Sequence, residues 1–249
     1  MLLYLSIALL IIGIIFFFIG FKILKIRHLL QNTPTSKIRS IAMGFSEVCG
    51  KVRIYSDKHV MNSPITNQPC VYYKYQIWEY KKSGKDSAWQ LIKFNKCIVH
   101  FYLEDETGKI LIDPSQAKIK TENKYKYETS HNIDPPKSII NFLYSLNIDY
   151  KGFFGFNRHF KFIEWCIKPN DKLYITGTVV NNPYVQDATV TDGVANMMIS
   201  RGRNIKFNLI SSNMEKTIVF KYTAFSVVSF ILGSLISVLS LIGLILAVI

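Results

Sequence analysis

A chain of 249 residues with 30 Lys+Arg against 17 Asp+Glu carries a net charge of +13, and 49% of its residues are hydrophobic. Four cysteines, Cys49, Cys70, Cys97 and Cys166, are scattered with no close spacing; in a reducing cytoplasm they read as small buried hydrophobes rather than a disulfide framework, so this reading stands or falls with the topology. His28, His59, His100, His131 and His159 are equally scattered, without a pair one helical turn apart or a Cys-x-x-Cys, so no metal and no cofactor is expected.

Met1 to Phe21 is apolar apart from Ser6, with no basic lead and no small-residue cleavage site before Lys22. The pattern predicts an uncleaved first transmembrane helix over residues 1–21 rather than a removable signal peptide. Residues 22–40 then form a basic juxtamembrane connector with Lys22, Lys25, Arg27, Lys37 and Arg39, in which Gln31 to Ser36 is polar and contains a proline.

Residues 41–200 read as a β-rich soluble domain. Lys51 to Tyr55 alternates, and Val71 to Tyr80 is an aromatic and β-branched run between Pro69-Cys70 and Lys81-Lys82-Ser83-Gly84. A further strand covers Trp89 to Phe94. Cys97 to Pro114 reads as a hairpin: Val99, Phe101 and Leu103 alternate, Glu104 to Gly108 turns, and Ile110 and Ile112 return. Its acidic tip reads as a solvated turn.

Asp134-Pro135-Pro136 predicts a helix capped by Asp134, with Pro135 at its first position and Ile139, Ile140, Leu143 and Leu146 on one face, ending by Asn147. Lys151 to His159 is an aromatic loop. Its Phe153, Phe154, Phe156 and Arg158 can contact a membrane or a partner, or the three phenylalanines can cover the barrel or the helix. Phe160 to Ile167 and Lys172 to Val180 are strands joined by Pro169-Asn170-Asp171.

Residues 201–222 form a linker, expected to be helical, with Arg201, Arg203, Lys206, Lys216 and Lys221. Ser212-Asn213-Met214-Glu215 has the capping-box pattern from which a helix can run on into the last span. Residues 223–249 carry no charge at all, and 27 residues make a helix of about 40 Å against a hydrocarbon core of about 30 Å. Ser226, Ser229, Gly233, Ser237 and Ser240 stack on one face of it. They are either a packing stripe for the first helix, which carries Gly13 and Gly20, or the ordinary Ser and Gly of spanning helices.

Every Lys and Arg lies between Lys22 and Lys221, so the positive-inside rule places the middle in the cytoplasm and both termini outside, as in a prokaryotic plasma membrane. The fold class expected is two transmembrane helices flanking a mainly β (α+β) domain. Gly50-Lys51-Val52, the 101–112 hairpin and Asn170 to Val179 together suggest an OB-like barrel with an inserted hairpin and one helix. No Gly-x-Ser-x-Gly elbow and no phosphate-binding glycine loop is present. The basic surplus suits anionic membrane lipids within a Debye length of the anchors. A basic barrel also suits nucleic acid, but no compact stripe of alternating basic and aromatic residues stands out, which disfavours that partner.

The order of helix anchor, Gly50-Lys51-Val52, long insert, Ile175-Thr176-Gly177-Thr178-Val179, a short strand ending in Ile199-Ser200, and a linker helix entering a second span resembles one family. It is that of the GIDE-type membrane-anchored E3 ubiquitin ligases of mitochondria and their prokaryotic relatives. The resemblance implies a domain held beside a membrane. In the ligases a zinc-binding RING follows the second span; here no Cys/His cluster is expected after that span, and no RING residue is carried over. What it implies here is a non-catalytic sensor or scaffold that binds a protein, lipid or small ligand, with a protein partner or a second copy of itself. Transferase chemistry would come by resemblance only, through a RING on a separate chain, and a eukaryotic chain of this kind would sit in a mitochondrial membrane.

Overall fold

The structure, a computed structural model, describes residues 2–56, 60–83, 86–129, 133–152, 155–185, 194, 196–203, 205, 207–213 and 215–248. In chain order it comprises α1 (Leu2–Gln31), a 3-10 turn (Ile38–Ser40), β1 (Gly44–Ile54), β2 (Met61–Asn62), β3 (Pro69–Cys70), β4 (Tyr72–Ser83) and β5 (Asp86–Ile98). The hairpin β6 (Phe101–Glu104) and β7 (Lys109–Ile112) follows, then β8 (Lys118–Lys120), β9 (Lys124–Glu128), α2 (Lys137–Ser145), β10 (Phe160–Ile167), β11 (Lys172–Asn181), β12 (Met197–Ser200), β13 (Leu209–Ser211) and α3 (Glu215–Val248). Residues 1–34 and 214–249 form one unit and residues 35–213 another.

In the first unit, Leu3–Gln31 and Thr217–Ala247 are long and apolar enough to cross a membrane. A helix satisfies its own backbone hydrogen bonds, which hydrocarbon cannot do for it. Large apolar side chains such as Phe18 and Leu239 point away from the pair, whereas Gly13, Gly20, Ser226, Ser229, Gly233 and Ser240 are buried within it. A Cβ on Gly233 would lie 2.9 Å from the Phe17 nitrogen and 3.0 Å from the Gly13 carbonyl oxygen, so the two backbones touch there. Phe230 of α3 stacks edge-on against Phe17 and Phe21 of α1, with centroids 5.3 and 5.1 Å apart. The second helix is continuous from Glu215, later than a capping box at Ser212 would start it. Asn213 instead donates to Ser211 Oγ at 3.0 Å in a bend, and Met214 lies outside the described residues.

In the second unit, β1 pairs antiparallel with β6, β6 with β7, β12 parallel with β7, β11 with β12, and β11 again with β1. These five pairings close a ring, so the domain contains a five-stranded barrel. β1 starts at Gly44, well before the alternation at Lys51, because one long strand serves two partners: residues 44–51 lie along β11 and residues 51–54 along β6. The barrel core is Val48, Val52, Phe101, Leu103, Ile110, Ile112, Ile175, Val179 and Ile199. Closure brings backbones together at Gly50, where a Cβ would lie 2.5 Å from the Glu104 carbonyl oxygen; the glycine of the Gly-Lys-Val motif is required by that approach.

A separate antiparallel sheet has the order β5-β4-β10-β9. α2 covers one face of it, where Ile139 and Leu143 join Tyr75, Ile77, Phe160 and Phe162. The helix begins at Lys137 with Pro136 as its cap, and Asp134 makes no cap. A residue before proline is pushed out of the helical region, so Pro135, followed by Pro136, cannot be the first helical residue. Asn147, at φ 56°, ends the helix: its N–H donates to Tyr144 O and that of Ile148 to Leu143 O, the Schellman pattern. Cys97 belongs to β5, so the following hairpin is tighter than its alternation suggests and starts at Phe101.

Candidate functional site

The second face of the four-stranded sheet carries the most distinctive chemistry in the domain. Residues directly opposite in an antiparallel sheet project to the same side. Trp165 on β10 stands between Lys74 on β4 and Lys124 on β9, Ile163 between Gln76 and Lys126, and Lys161 between Trp78 and Glu128. From β5, Lys96 is opposite Lys74, Phe94 opposite Gln76, Leu91 opposite Trp78 and Trp89 opposite Tyr80. All three tryptophans of the chain and five lysines therefore share one face.

Three of these lysines sit on the tryptophan rings. Lys161 Nζ is 3.6 Å from the Trp89 ring centroid, Lys74 Nζ is 4.7 Å from that of Trp165, and Lys124 Nζ approaches the same ring at 5.6 Å. Each ammonium is held by the ring quadrupole while its stem covers apolar surface. His159 packs edge-on against Trp89 at 4.9 Å and meets Glu128 Oε1 at 3.1 Å. Glu128 also meets Lys126 at 3.5 Å, so the one carboxylate at the paired positions named on this face is already engaged by a lysine and a histidine. Beyond Lys96, along the β4–β5 hairpin, the face is apolar and open, with Phe94 47%, Leu91 43% and Tyr80 37% exposed.

This convergence is absent from the linear reading. The signal that could have found it is the period of two in Lys74-x-Gln76-x-Trp78, Lys124-x-Lys126 and Lys161-x-Ile163-x-Trp165. Tyr75, Ile77, Phe160 and Phe162 fill the other phase of the same strands, so both phases look apolar or aromatic.

The expected contact residues fall elsewhere. Phe156 is 67% exposed, and Phe153 and Phe154 lie outside the described residues. Arg158 is committed within the fold: its guanidinium donates to Glu79 Oε1 at 2.7 and 2.6 Å and to Asp149 O at 2.8 Å. Lys22, Lys25 and Arg27 lie on α1 itself, Lys221 lies on α3, and Lys206 and the Lys216 side chain are outside the described residues. Arg201 donates to Gln116 and, with Arg203, lines a cleft that also holds Phe45 and Thr178. Gly13 packs against Ser237 and Gly20 against Phe230 within the helical unit.

In two other polar places the glutamates are engaged within the fold. A cleft of about 670 Å³ is lined by Lys37, Lys51, Arg53, Glu104, Glu106 and Lys172, but Lys37 pairs with Glu106, and Arg53 with Glu104 and Asn170. Buried Glu164 accepts from Ile65 N at 2.8 Å, Thr66 N at 3.1 Å and Thr66 Oγ1 at 2.6 Å, which fastens the 63–68 turn to the sheet. The fold sets Cys70 beside Cys166: their hydrogen bond, with burial, pushes the Cys70 thiol up, and the same bond pulls that of Cys166 down. Among the described residues, no three of His, Cys, Asp and Glu converge as metal ligands.

A family model described as GIDE, E3 ubiquitin ligase, matches residues 72–237, which take in the β4–β5 hairpin, most of the barrel and much of α3. No curated protein and no solved structure matches the chain. With more than half of its length matched and two apolar helices flanking a mainly β domain, the chain belongs to the GIDE family, whose model is that of an E3 ubiquitin ligase.

Proposed function

We propose that this chain is a membrane-anchored, non-catalytic recognition module of the GIDE family, a sensor or scaffold that binds a ligand at a bilayer surface. The observation that carries the reading is the lysine–tryptophan face of the β5-β4-β10-β9 sheet, a broad open surface whose chemistry is that of binding. Two spans would hold it in a prokaryotic plasma membrane with the domain in the cytoplasm, following the distribution of Lys and Arg. Family membership supports a second reading, a ligase-like protein that acts with a RING on a separate chain.

Lysine footprinting tests the first. In native membranes Lys96, Lys124 and Lys126 are expected to be acylated several-fold more slowly than in the purified protein, whereas Lys118, exposed elsewhere on the domain, reacts alike in both. Equal labelling of all four would overturn an occupied face. Under the second reading, the chain accelerates ubiquitin discharge from a charged conjugating enzyme only when a RING-bearing partner is added.

A further inference from the structure

We propose that the open face of the four-stranded sheet docks onto anionic phospholipid headgroups. The inference rests on the reading of that face as a binding surface and names what it binds. Lys74, Lys96, Lys124, Lys126 and Lys161 stand on neighbouring strands of one sheet face, and Glu128, the only carboxylate at the paired positions of that face among the described residues, is held by His159 and Lys126. The occupant is therefore an anion, and a broad one, because the charges span four strands.

Two features select a lipid surface over a nucleic acid. Single-strand binders stack bases on free aromatic faces. Here Lys74 and Lys124 flank the Trp165 ring, and Lys161 lies over Trp89. A base could stack on these rings only by displacing ammonium groups that a headgroup phosphate would instead bind in place. The apolar residues left open, Phe94, Leu91 and Tyr80, line the β5 side as a band beside the charges. Aromatic side chains next to lysines are what the headgroup boundary of a bilayer accommodates, ring in the interface and ammonium on the phosphate. The two apolar helices also put a bilayer within reach of the chain at all times.

The test uses the full chain in phosphatidylcholine nanodiscs with a tryptophan-free belt, mixed with separate vesicles. Because Trp78, Trp89 and Trp165 all lie on the face, emission reports its occupancy. Vesicles containing phosphatidylglycerol are expected to shift the emission to the blue and to carry the nanodiscs upward in flotation, and pure phosphatidylcholine vesicles to do neither. Lys96→Gln with Lys124→Gln removes two exposed charges, and at about fivefold per lysine weakens partition by about 25-fold. Lys96→Arg with Lys124→Arg keeps the charge and the binding, which separates lost attraction from lost folding.

Equal binding of both vesicle types, or full binding by the glutamine pair, would overturn the proposal. So would a response to a single-stranded oligonucleotide, or to inorganic phosphate alone, with none to phosphatidylglycerol vesicles. Footprint protection in native membranes combined with silent vesicles would leave the binding face standing and remove the lipid.

Discussion

The Tyr174 hydroxyl donates to Glu47 Oε2 at 2.5 Å, beside the seam where β11 meets β1, and Glu47 has no exposed surface. Thr35 Oγ1 donates to the other carboxylate oxygen at 2.6 Å, and the backbone N–H of Ser36 to the Glu47 carbonyl at 2.8 Å. The segment that enters the domain is thus tied to the barrel through one buried carboxylate. Tyr174→Phe leaves that group short of a donor, and we expect a loss of about 2 kcal/mol in denaturant unfolding followed by tryptophan emission. Thr35→Ala acts on the same carboxylate, so the two losses should not add. Additive effects in the double variant would show that the two hydroxyls act independently.

The acidic tip of the β6–β7 hairpin does more than face solvent. Asp105 accepts from Ile38 N at 2.9 Å, Thr107 N at 2.7 Å, Thr107 Oγ1 at 2.6 Å and Gly108 N at 3.0 Å. Burial pushes its pKa up, but these hydrogen bonds outweigh burial and hold it below the ordinary carboxylate value. A lowered folded-state pKa contributes stability that is present above the unfolded value of about 4 and is lost as pH falls through the still lower folded value. The protection factors of the Ile38, Thr107 and Gly108 amides, that is, their exchange relative to the intrinsic rate at each pH, should therefore be high at neutral pH and fall on acidification below about pH 4. Asp105→Asn should exchange faster at neutral pH and show a flatter acid response; an unchanged acid limb would remove Asp105 as its cause.

In the helical unit the contact at Gly13 and Gly233 leaves no room for a side chain, since a Cβ on Gly233 would meet the backbone of α1. Gly233→Leu should push the helices apart and cost about 2 kcal/mol in steric denaturation measured in micelles. Leu232→Ala, on the exposed side of the same helix, is the control and should change little. If both variants unfold alike, the glycine contact does not hold the pair together.

The two long apolar helices, the edges of β10 and β11 and the β6–β7 hairpin were legible in the order of residues, because each is written in a local property: a charge-free run, or alternation bounded by Pro, Asn, Asp or Gly. α2 starts two residues later than Pro135 suggests, because Pro136 pushes Pro135 out of the helical region. The early start of β1 has no local signal, because residues 44–49 are strand only where β11 lies beside them.

The lysine–tryptophan face was not legible at all. In Val71 to Tyr80 both alternating phases are aromatic or long-chained, so hydropathy leaves open which phase meets the core. Packing of Tyr75 and Ile77 beneath α2 settles it, and turns Lys74, Gln76 and Trp78 outward. Register then brings Lys96 from β5, Lys124 from β9 and Trp165 from β10 alongside. Spans and strand edges depend on neighbours along the chain; a binding face depends on which strands pair and in what register, a contact between residues far apart in sequence that no local window contains.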